Sequence, residues 1–414
     1  MIRRRVALVP VAVLFACGGV SPLGSNSGDD TGDVDESSGG ATTLPATDTS
    51  DGTSSVGGTS ADAGSSTSAA DDGSTESTGS TGGGSSTEAG SSTTAEPSAS
   101  SSGGDTPLVC PDPPATLTRW QVGDEADLDV APSGPALVLM GGGPDVDDAF
   151  VWWQQWIAGG DVVVLRASGA DGYNDYLLDF GGDSVETLLV DTVTLADDPY
   201  VGCRIAQAEA VFLTGGDQAE YMTLWKDHGV ADALMSAWDR GAVIGGTSAG
   251  LAVLGEHVFA AYNDTVYSYE ALEDPYNEYM TMDAGMLALP SLGGIITDSH
   301  FADRDRMGRL VGFLARIVQD GTDDDPIGIG VDEGTALLVE PDGEGTVVGD
   351  GSVYVLHAAG VPSVCAAGEP LTYEDLELVR LDAGDTITLP AGATAVASST
   401  LSAVEGALEP ADPY

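Results

Sequence analysis

The chain carries several short runs of almost continuously apolar residues, each ending at glycines or small polar residues. Such runs are typical of strands that are buried on both faces of a parallel sheet. The pattern predicts strands at residues 136–140, 161–167, 186–190, 210–213, 242–244, 295–297 and 327–331.

Between these runs the apolar positions recur every three or four residues, which predicts helices at residues 148–158, 173–180, 217–225, 229–240 and 303–319. Because strands and helices alternate, we expect a doubly wound, mostly parallel α/β sheet. Alternating apolar and polar positions then predict an antiparallel C-terminal β tail at residues 335–340, 346–357 and 386–398. Ligands of such sheets bind at the carboxyl ends of the strands, so the chemistry is expected there.

Residues 1–16 have the pattern of a signal peptide, with arginines at positions 3–5 and a short apolar segment at 6–16. The ending Ala16-Cys17 resembles the bacterial lipoprotein signal, which implies cleavage before Cys17 and lipidation of its thiol. An ordinary secretory signal that contains a cysteine is the alternative. Gly18 stands where an acidic residue would mark inner-membrane retention, so we expect a lipid-anchored protein of the bacterial cell envelope, at the outer membrane, or a secreted one.

Residues 17–108 are rich in Ser, Thr, Gly and Asp, and no aromatic residue, Lys or Arg occurs among them. Such a composition buries too little apolar surface to offset its ordering entropy, so a disordered tether is expected. Residues 109–414 remain as one folded domain. The whole chain has 66 acidic and 13 basic residues and a net charge of −53, which disfavours nucleic acid as a partner.

Three cysteines lie beyond Cys17, at positions 110, 203 and 365. An exported location permits one disulfide and leaves one thiol, with the pairing open. The sequence has no C-x-x-C pair and no His/Cys cluster, so neither a metal site nor a cofactor is expected.

The segment Gly245-Gly246-Thr247-Ser248-Ala249-Gly250 lies between an apolar run and a further apolar stretch, and it contains G-x-S-x-G. A strand–turn–helix arrangement would expose the hydroxyl of Ser248 as a nucleophile. The backbone N–H of Ala249, at the helix start, would help to hold an oxyanion. A simple Gly/Ser turn without catalytic function is the alternative.

A serine nucleophile needs a base and a group that orients the base. Among the four histidines, His300 is the best candidate because it follows a predicted strand and precedes an arginine-rich segment. Glu333 follows another predicted strand and is the candidate acid, with Asp332 as its nearest rival. The α/β-hydrolase fold places the acid before the histidine, so the order Ser, His, Glu disfavours that fold.

The scarce basic residues cluster at Arg304, Arg306 and Arg309, directly after His300. Guanidinium groups bind carboxylates with two hydrogen bonds, so the cluster predicts an acidic substrate. The alternative is neutralisation of nearby acids such as Asp298.

Two other segments carry polar groups of interest. Gly215 and Gly216 end a predicted strand and could supply oxyanion donors, and Gln218 could bind substrate; a plain turn with Asp217 as helix cap is the alternative. Residues 262–279 combine tyrosines with acids, which suits either a lid or wall that contacts a cationic group or a solvated loop.

Taken together, these motifs resemble the cyanophycinase and aspartyl dipeptidase (peptidase E) family of serine peptidases. The matching segments are residues 169–174, 214–218, 245–250, 298–301 with the following arginines, and 328–335. The resemblance implies a fold similar to class I glutamine amidotransferases, with a serine in place of their cysteine nucleophile.

The resemblance also implies roles for individual residues. It gives a triad of Ser248, His300 and Glu333, and substrate contacts from Gln218, Asp298, Arg304, Arg306 and Arg309. The substrates would be aspartyl peptides or a cyanophycin-like polymer. Cyanophycinases typically have Gln where this chain has Ser299, a difference that concerns the substrate and not the triad. A catalytically inactive relative that binds acidic peptides, an esterase or amidase with the same nucleophile, and a homodimer remain open.

Overall fold

The computed structural model describes residues 109–124, 126, 128 and 130–414. The predicted signal peptide, Cys17 and the predicted tether lie outside the described residues. The strands are β1 (Thr118–Gly123), β2 (Ala136–Met140), β3 (Val162–Arg166), β4 (Ser184–Leu189), β5 (Ala210–Leu213), β6 (Val243–Thr247), β7 (His257–Phe259), β8 (Met282–Ala284), β9 (Ile295–Asp298), β10 (Ile327–Val331), β11 (Thr335–Val339), β12 (Glu344–Gly349), β13 (Val353–His357), β14 (Tyr373–Leu381), β15 (Thr386–Thr388), β16 (Ser399–Val404) and β17 (Ala407–Glu409).

The helices are α1 (Asp147–Ile157), α2 (Asn174–Leu178), α3 (Val193–Ala196), α4 (Pro199–Gln207), α5 (Gln218–Leu224), α6 (Gly229–Arg240), α7 (Ala249–Ala252), α8 (Ser268–Glu273) and α9 (Met307–Gln319). None of the helices in the described part of the chain has the length and apolar character needed to cross a membrane.

The first sheet has the strand order β1-β4-β3-β5-β6-β2-β11-β12-β15. Its five central strands, from β4 to β2, run parallel, and the outer strands pair antiparallel. Alternate side chains face opposite cores: Leu137 and Leu139 pack on the side of α4, α5 and α6, whereas Val138 and Met140 pack on the side of α1 and α2. Helices on both faces explain the continuous apolar runs and confirm the predicted doubly wound α/β class.

A second sheet of order β17-β16-β14-β13-β10-β9-β7-β8 takes up two of the predicted parallel strands. β9 and β10 pair parallel to each other, but β10 continues antiparallel to β13 and not into the first sheet. A run of apolar residues indicates that a strand is buried on both faces, but it does not show which strand lies next to it. The sequence therefore could not show that β9 and β10 belong to a different sheet.

The predicted elements differ from the observed ones mainly at their ends. Helix α9 begins at Met307 and not at residue 303, because Asp305 adopts a left-handed backbone with φ +48° that breaks the first turn. The tail segment 346–357 forms two strands, β12 and β13. The predicted strand 386–398 is ordered as a strand only at β15.

Helix α4 was not predicted, and it carries one half of the disulfide. Asp198 caps the helix by accepting the N–H of Tyr200, and Pro199 occupies its first turn. Cys203 on α4 is bonded to Cys110, with a Cα–Cα distance of 5.6 Å, and Cys365 is the free, buried thiol. The bridge fastens the segment that precedes β1 to the body of the domain.

Candidate active site at the junction of the two sheets

Ser248 lies at a sharp turn between β6 and α7, with φ 53° and ψ −117°. A non-glycine residue rarely adopts this backbone, and strain of this kind is found at nucleophile turns. The neighbouring glycines are required by crowding: a Cβ at Gly246 would lie 2.5 Å from the carbonyl group of Gly250, and one at Gly250 would lie 2.1 Å from the oxygen of Leu213. The G-x-S-x-G pattern therefore follows from the tight packing of this turn.

His300 is brought to Ser248 by backbone pairing across the two sheets. In the first sheet Met140 of β2 is in register with Thr247 of β6, so Gly141 follows beside Ser248. The N–H of His300 donates to the carbonyl of Gly141 at 2.7 Å. His300 itself has φ 46°, a left-handed conformation that turns the chain sharply after β9.

Glu333 lies in the short turn where the chain leaves β10 in the second sheet and enters β11 in the first. Gly330 of β10 is in register with Asp298 of β9, so the residues that follow the two strands are neighbours. The site therefore occupies the junction of the two sheets.

The three side chains form a continuous hydrogen-bonded chain. The Oγ of Ser248 lies 2.7 Å from Nε2 of His300, and Nδ1 of His300 lies 2.6 Å from Oε1 of Glu333. With the carboxylate accepting the proton of Nδ1, Nε2 carries a lone pair directed at the serine hydroxyl. This arrangement can remove a proton from Ser248 as it attacks an electrophile.

Asp332, the rival acid, makes different contacts. Its Oδ1 accepts the N–H of Ala302 at 2.8 Å and its Oδ2 accepts the N–H of Ser352 at 3.0 Å. The carboxylate of Asp332 therefore ties the loop after His300 to the second sheet, and it is Glu333 that contacts the imidazole.

In the sequence, the glycines after β2 indicate only the end of a strand, yet in the structure they lie against the histidine and the acid. A Cβ at Gly142 would lie 2.4 Å from Cε1 of His300, and one at Gly143 would lie 2.8 Å from Oε2 of Glu333. Three consecutive glycines at a strand end, residues 141–143, are the signal that could have placed this turn in the site.

The candidate oxyanion donors lie around the serine. Ala249 is the first residue of α7, so its N–H has no intrahelical acceptor. A Cβ added to Gly215 would lie 3.4 Å from Cβ of Ser248, and Gly216, with φ 154°, packs against the hydroxyl of Tyr221. These glycines bring backbone close to the nucleophile, and their role as donors stays a prediction.

The remaining predicted substrate residues differ in exposure. The exposed fraction of the side chain is 46% for Arg304, 14% for Arg306 and 3% for Arg309. Nε of Arg304 lies 3.9 Å from Oε1 of Glu333, at the rim of the site. Of the three guanidinium groups, that of Arg304 is the one that solvent reaches most easily.

Arg309 and Asp298 form a buried ion pair beneath the site. Nε of Arg309 donates to Oδ2 of Asp298 at 2.8 Å and Nη2 donates to Oδ1 at 2.5 Å. Burial alone would raise the pKa of Asp298, but Arg309 and Arg306 lower it below its ordinary value. Asp298 is therefore a fixed anion that holds the arginines in place.

Arg306 shares Asp298 with Arg309 and also contacts Ser299. Its Nη1 lies 3.4 Å from Oδ1 of Asp298 and donates to the carbonyl of Ser299 at 2.8 Å and to its Oγ at 3.3 Å. Burial and the charge of Arg309 lower the pKa of Arg306 to about 9, so the guanidinium remains charged near neutral pH. Arg306 and Arg309 thus share one buried carboxylate.

Gln218 and the tyrosine-rich segment lie on the same side of the domain. Nε2 of Gln218 donates to the carbonyl of Phe259 at 2.6 Å, and Asp217 caps α5 by accepting the N–H of Ala219. Thr265 accepts a hydrogen bond from Nη1 of Arg309 at 3.1 Å, so residues 262–279 border the arginines. Contact of Gln218 or of this segment with a substrate stays a prediction.

Comparisons with known proteins show which family the chain resembles. The model of peptidase family S51 matches residues 184–346, which include all three residues of the hydrogen-bonded chain. A cyanophycinase of Trichormus variabilis is 32% identical over 217 residues, which cover 51% of this chain and 67% of the relative.

The chain belongs to peptidase family S51.

A second family member, a cyanophycinase of Synechococcus elongatus, is 30% identical over 222 residues, and the match spans 52% of this chain and 64% of that relative's length. Among solved structures, a peptidase from an acI-B1 Actinobacterium matches 62% of this chain and 97% of its own, with 18% identity and a TM-score of 0.43. A peptidase E protein from Listeria monocytogenes has a TM-score of 0.35 at 14% identity.

Within the described residues, no group of three or more His, Cys, Asp or Glu side chains is placed to hold a metal ion. The charges and burial around His300 change the pKa of its imidazole. Burial lowers its pKa below 6.5, the charges of Arg304 and Arg306 lower it further, and Glu333 opposes both. The lowered pKa favours the neutral imidazole, the form in which Nε2 can accept a proton.

This shift gives a pH prediction. Because the neutral imidazole is the active form, the rate of Ser248 labelling by an uncharged fluorophosphonate is expected to rise with pH, with a midpoint below 6.5. Arg304→Ala removes a positive charge and should move this midpoint to higher pH. Arg316→Ala makes the same charge change on the distal part of α9, where Arg316 pairs with Asp320, and serves as the control. A midpoint that is equal in all three proteins would contradict the assignment of the base.

Proposed function

We propose that this chain is a serine-type peptidase that hydrolyses amide bonds at aspartyl residues through a triad of Ser248, His300 and Glu333. The observation that carries the proposal is the hydrogen-bonded chain of 2.7 and 2.6 Å that ends at a strained serine. Membership of peptidase family S51 supports the same reaction.

The reaction follows from the contacts. Nε2 of His300 accepts the hydroxyl proton while Oγ of Ser248 attacks the amide carbonyl, and Glu333 stabilises the imidazolium. The N–H groups of Ala249 and of the Gly215-Gly216 turn hold the oxyanion. His300 then gives its proton to the leaving amine, and an acyl-enzyme remains. Water, deprotonated by His300, attacks the acyl carbonyl. The bond between the acyl carbon and Oγ of Ser248 then breaks, His300 returns its proton to Oγ, and the acid is released.

The charge around the serine supports an acidic substrate. Arg304, Arg306 and Arg309 carry three positive charges on this side of the serine. Asp298 binds Arg306 and Arg309, whereas Arg304 is the most exposed of the three and lies 3.9 Å from Glu333. We assign substrate contact to Arg304 and to the exposed edge of Arg306. The buried groups of Asp298 and Arg309 act by holding Arg306 in place.

The relatives named cyanophycinase favour a cyanophycin-like polymer or a short peptide with an aspartyl residue as substrate. Ser299 bears on the choice between polymer and short peptide, because its side chain is shorter than that of the Gln typical of cyanophycinases. Its Oγ accepts a hydrogen bond from Nη1 of Arg306 at 3.3 Å, so Ser299 lies next to a guanidinium. A contact that a longer side chain would make with the polymer is absent, which favours the shorter peptides.

We further propose that the protein acts outside the cytoplasm, tethered through a lipid on Cys17. The signal-like residues 1–16 and the Ser/Thr/Gly/Asp-rich segment 17–108 support this location. The disulfide between Cys110 and Cys203 supports it independently, since such bonds persist in oxidising compartments.

The test is a substrate panel for the purified chain: cyanophycin, the β-Asp-Arg dipeptide, Asp-X dipeptides and p-nitrophenyl acetate, with fluorophosphonate labelling in parallel. We expect labelling at Ser248 and cleavage of at least one aspartyl amide. Cleavage of the ester alone would favour an esterase. Absence of both labelling and cleavage would contradict the peptidase, and leave a binding protein for acidic peptides.

Arg304→Ala should raise KM for the aspartyl substrate about tenfold, because a charge-assisted hydrogen bond to the substrate carboxylate is lost. The side chain is exposed, so the fold should be unaffected. Steady-state kinetics with Arg380→Ala, another exposed arginine, as control would measure the effect. An equal rise in KM for the uncharged ester would contradict carboxylate recognition.

A further inference from the structure

Helix α9, which follows the arginine-bearing loop, lacks a cap from its own sequence. Arg306 occupies the cap position and makes no side-chain capping hydrogen bond. The first N–H groups of a helix need an acceptor, and Ser, Thr, Asp or Asn usually supplies it. Here the acceptors come from two distant parts of the chain.

Tyr414 supplies the first acceptor. Its hydroxyl oxygen accepts the N–H of Met307 at 2.8 Å, and the hydroxyl donates to Oδ1 of Asp305 at 3.0 Å. The two contacts join position 414 to the first residue of α9 across more than 100 residues of sequence.

Ser268 supplies the second acceptor. Its Oγ accepts the N–H of Arg309 at 3.2 Å, and its hydroxyl donates to the carbonyl oxygen of Asp305. Asp305 is thus held at its carbonyl by one hydroxyl and at its carboxylate by another. It needs this support, because its left-handed backbone, with φ +48°, is unfavourable for a residue with a side chain.

The ring of Tyr414 packs against two other aromatic rings. It packs edge-on against Phe301, with ring centroids 6.1 Å apart, and against Tyr354 at 5.6 Å. Phe301 directly follows His300. Burial raises the pKa of Tyr414, and Asp305 raises it further, so the hydroxyl stays protonated and remains a donor over the working pH range.

We propose that Tyr414 is a positioning residue that acts through Asp305 to fix the loop bearing Arg304 and Arg306, and so sets the affinity for acidic substrates. The inference rests on the peptidase function proposed above. Asp305 lies between the two arginines in the chain, so we expect a change in its backbone to reorient the guanidinium groups on either side. The hydroxyl of Tyr414 does not touch Ser248, and the nucleophile should keep its reactivity without it.

Tyr414→Phe tests this directly, since it removes the hydroxyl and keeps the ring packing. We expect KM for an aspartyl dipeptide to rise about fivefold to tenfold, with kcat changed less than about twofold. The rate of Ser248 labelling by a small uncharged fluorophosphonate should stay at the wild-type value. Tyr373→Phe is the matched control, because its hydroxyl also accepts a backbone N–H, that of Ala359 at 3.0 Å, and donates to the carbonyl of Gly360 at 2.8 Å, at the end of β13 opposite to the site.

Amide hydrogen exchange gives a readout that does not need activity. In Tyr414→Phe the amide of Met307 and the loop 302–306 should exchange faster than in the wild type, and the exchange of α6 should be unchanged. Unchanged loop exchange, or an unchanged KM, would overturn the positioning role. An equal loss of labelling and hydrolysis would also overturn it, since the hydroxyl would then support the triad itself. A wild-type chain that neither labels nor cleaves would instead refute the peptidase, while the exchange result still decides the role of Tyr414.

Discussion

Ser248→Ala is expected to lower kcat for an aspartyl substrate by about 10⁵- to 10⁶-fold, because no other group replaces the nucleophile. Binding of the peptide should persist, since Arg304 and Arg306 are untouched. The measurement is steady-state hydrolysis combined with calorimetric binding of the uncleaved peptide.

Ser236→Ala is the control for this variant. Ser236 lies on the exposed side of α6, where its hydroxyl donates to the carbonyl of Asp232, and its loss should leave kcat unchanged. Residual activity above about 1% in Ser248→Ala would mean that Ser248 is not the nucleophile, since triad serines of hydrolases contribute far more than this. The fold should survive the substitution, because the strained backbone at residue 248 is imposed by its crowded glycine neighbours.

Glu333→Gln should lower kcat by about 10³- to 10⁴-fold with KM little changed. The amide of glutamine can donate a hydrogen bond to Nδ1 of His300, which places the ring proton on Nε2. That nitrogen lies 2.7 Å from Oγ of Ser248 and could then no longer accept the serine proton. Steady-state kinetics and the rate of fluorophosphonate labelling should fall together.

Asp303→Asn is the matched control for Glu333→Gln, since it also neutralises a carboxylate close to His300. Asp303 is exposed in the turn between His300 and α9. Its neutralisation should change kcat less than about threefold, as expected for an exposed charge. If both variants lost activity equally, the effect of Glu333 would be one of general charge and not of imidazole orientation.

Much of this site could be predicted from local sequence. A buried parallel strand followed by G-x-S-x-G places the serine at a strand-to-helix turn, and the structure shows the strained backbone that such a turn requires. His300 and Glu333 were predicted from their positions after apolar runs. In the structure their side chains form a hydrogen-bonded chain with Ser248, because both residues follow parallel strands whose carboxyl ends lie side by side.

The exposure of the individual arginines could not be predicted from the local sequence. Their spacing predicts a cationic cluster but not which guanidinium is free, since exposure depends on the elements packed against the loop. Arg309 is buried against Asp298 and its guanidinium lies over the ring of Phe259, 5.3 Å from the centroid. Arg304 remains exposed. No pattern in the segment 304–309 distinguishes these two environments.

The sequence alone determined the α/β class and the sharp turn at Ser248, and it indicated His300 and Glu333 as candidates, because these depend on burial patterns and on neighbours along the chain. Tertiary structure decided that β9 and β10 belong to a second sheet, that Cys110 pairs with Cys203, and that Glu333 and not Asp332 contacts His300. It also decided that a hydroxyl from residue 414 caps α9. These contacts join residues far apart in the chain, and their geometry arises only when the two sheets and their connecting turns pack together.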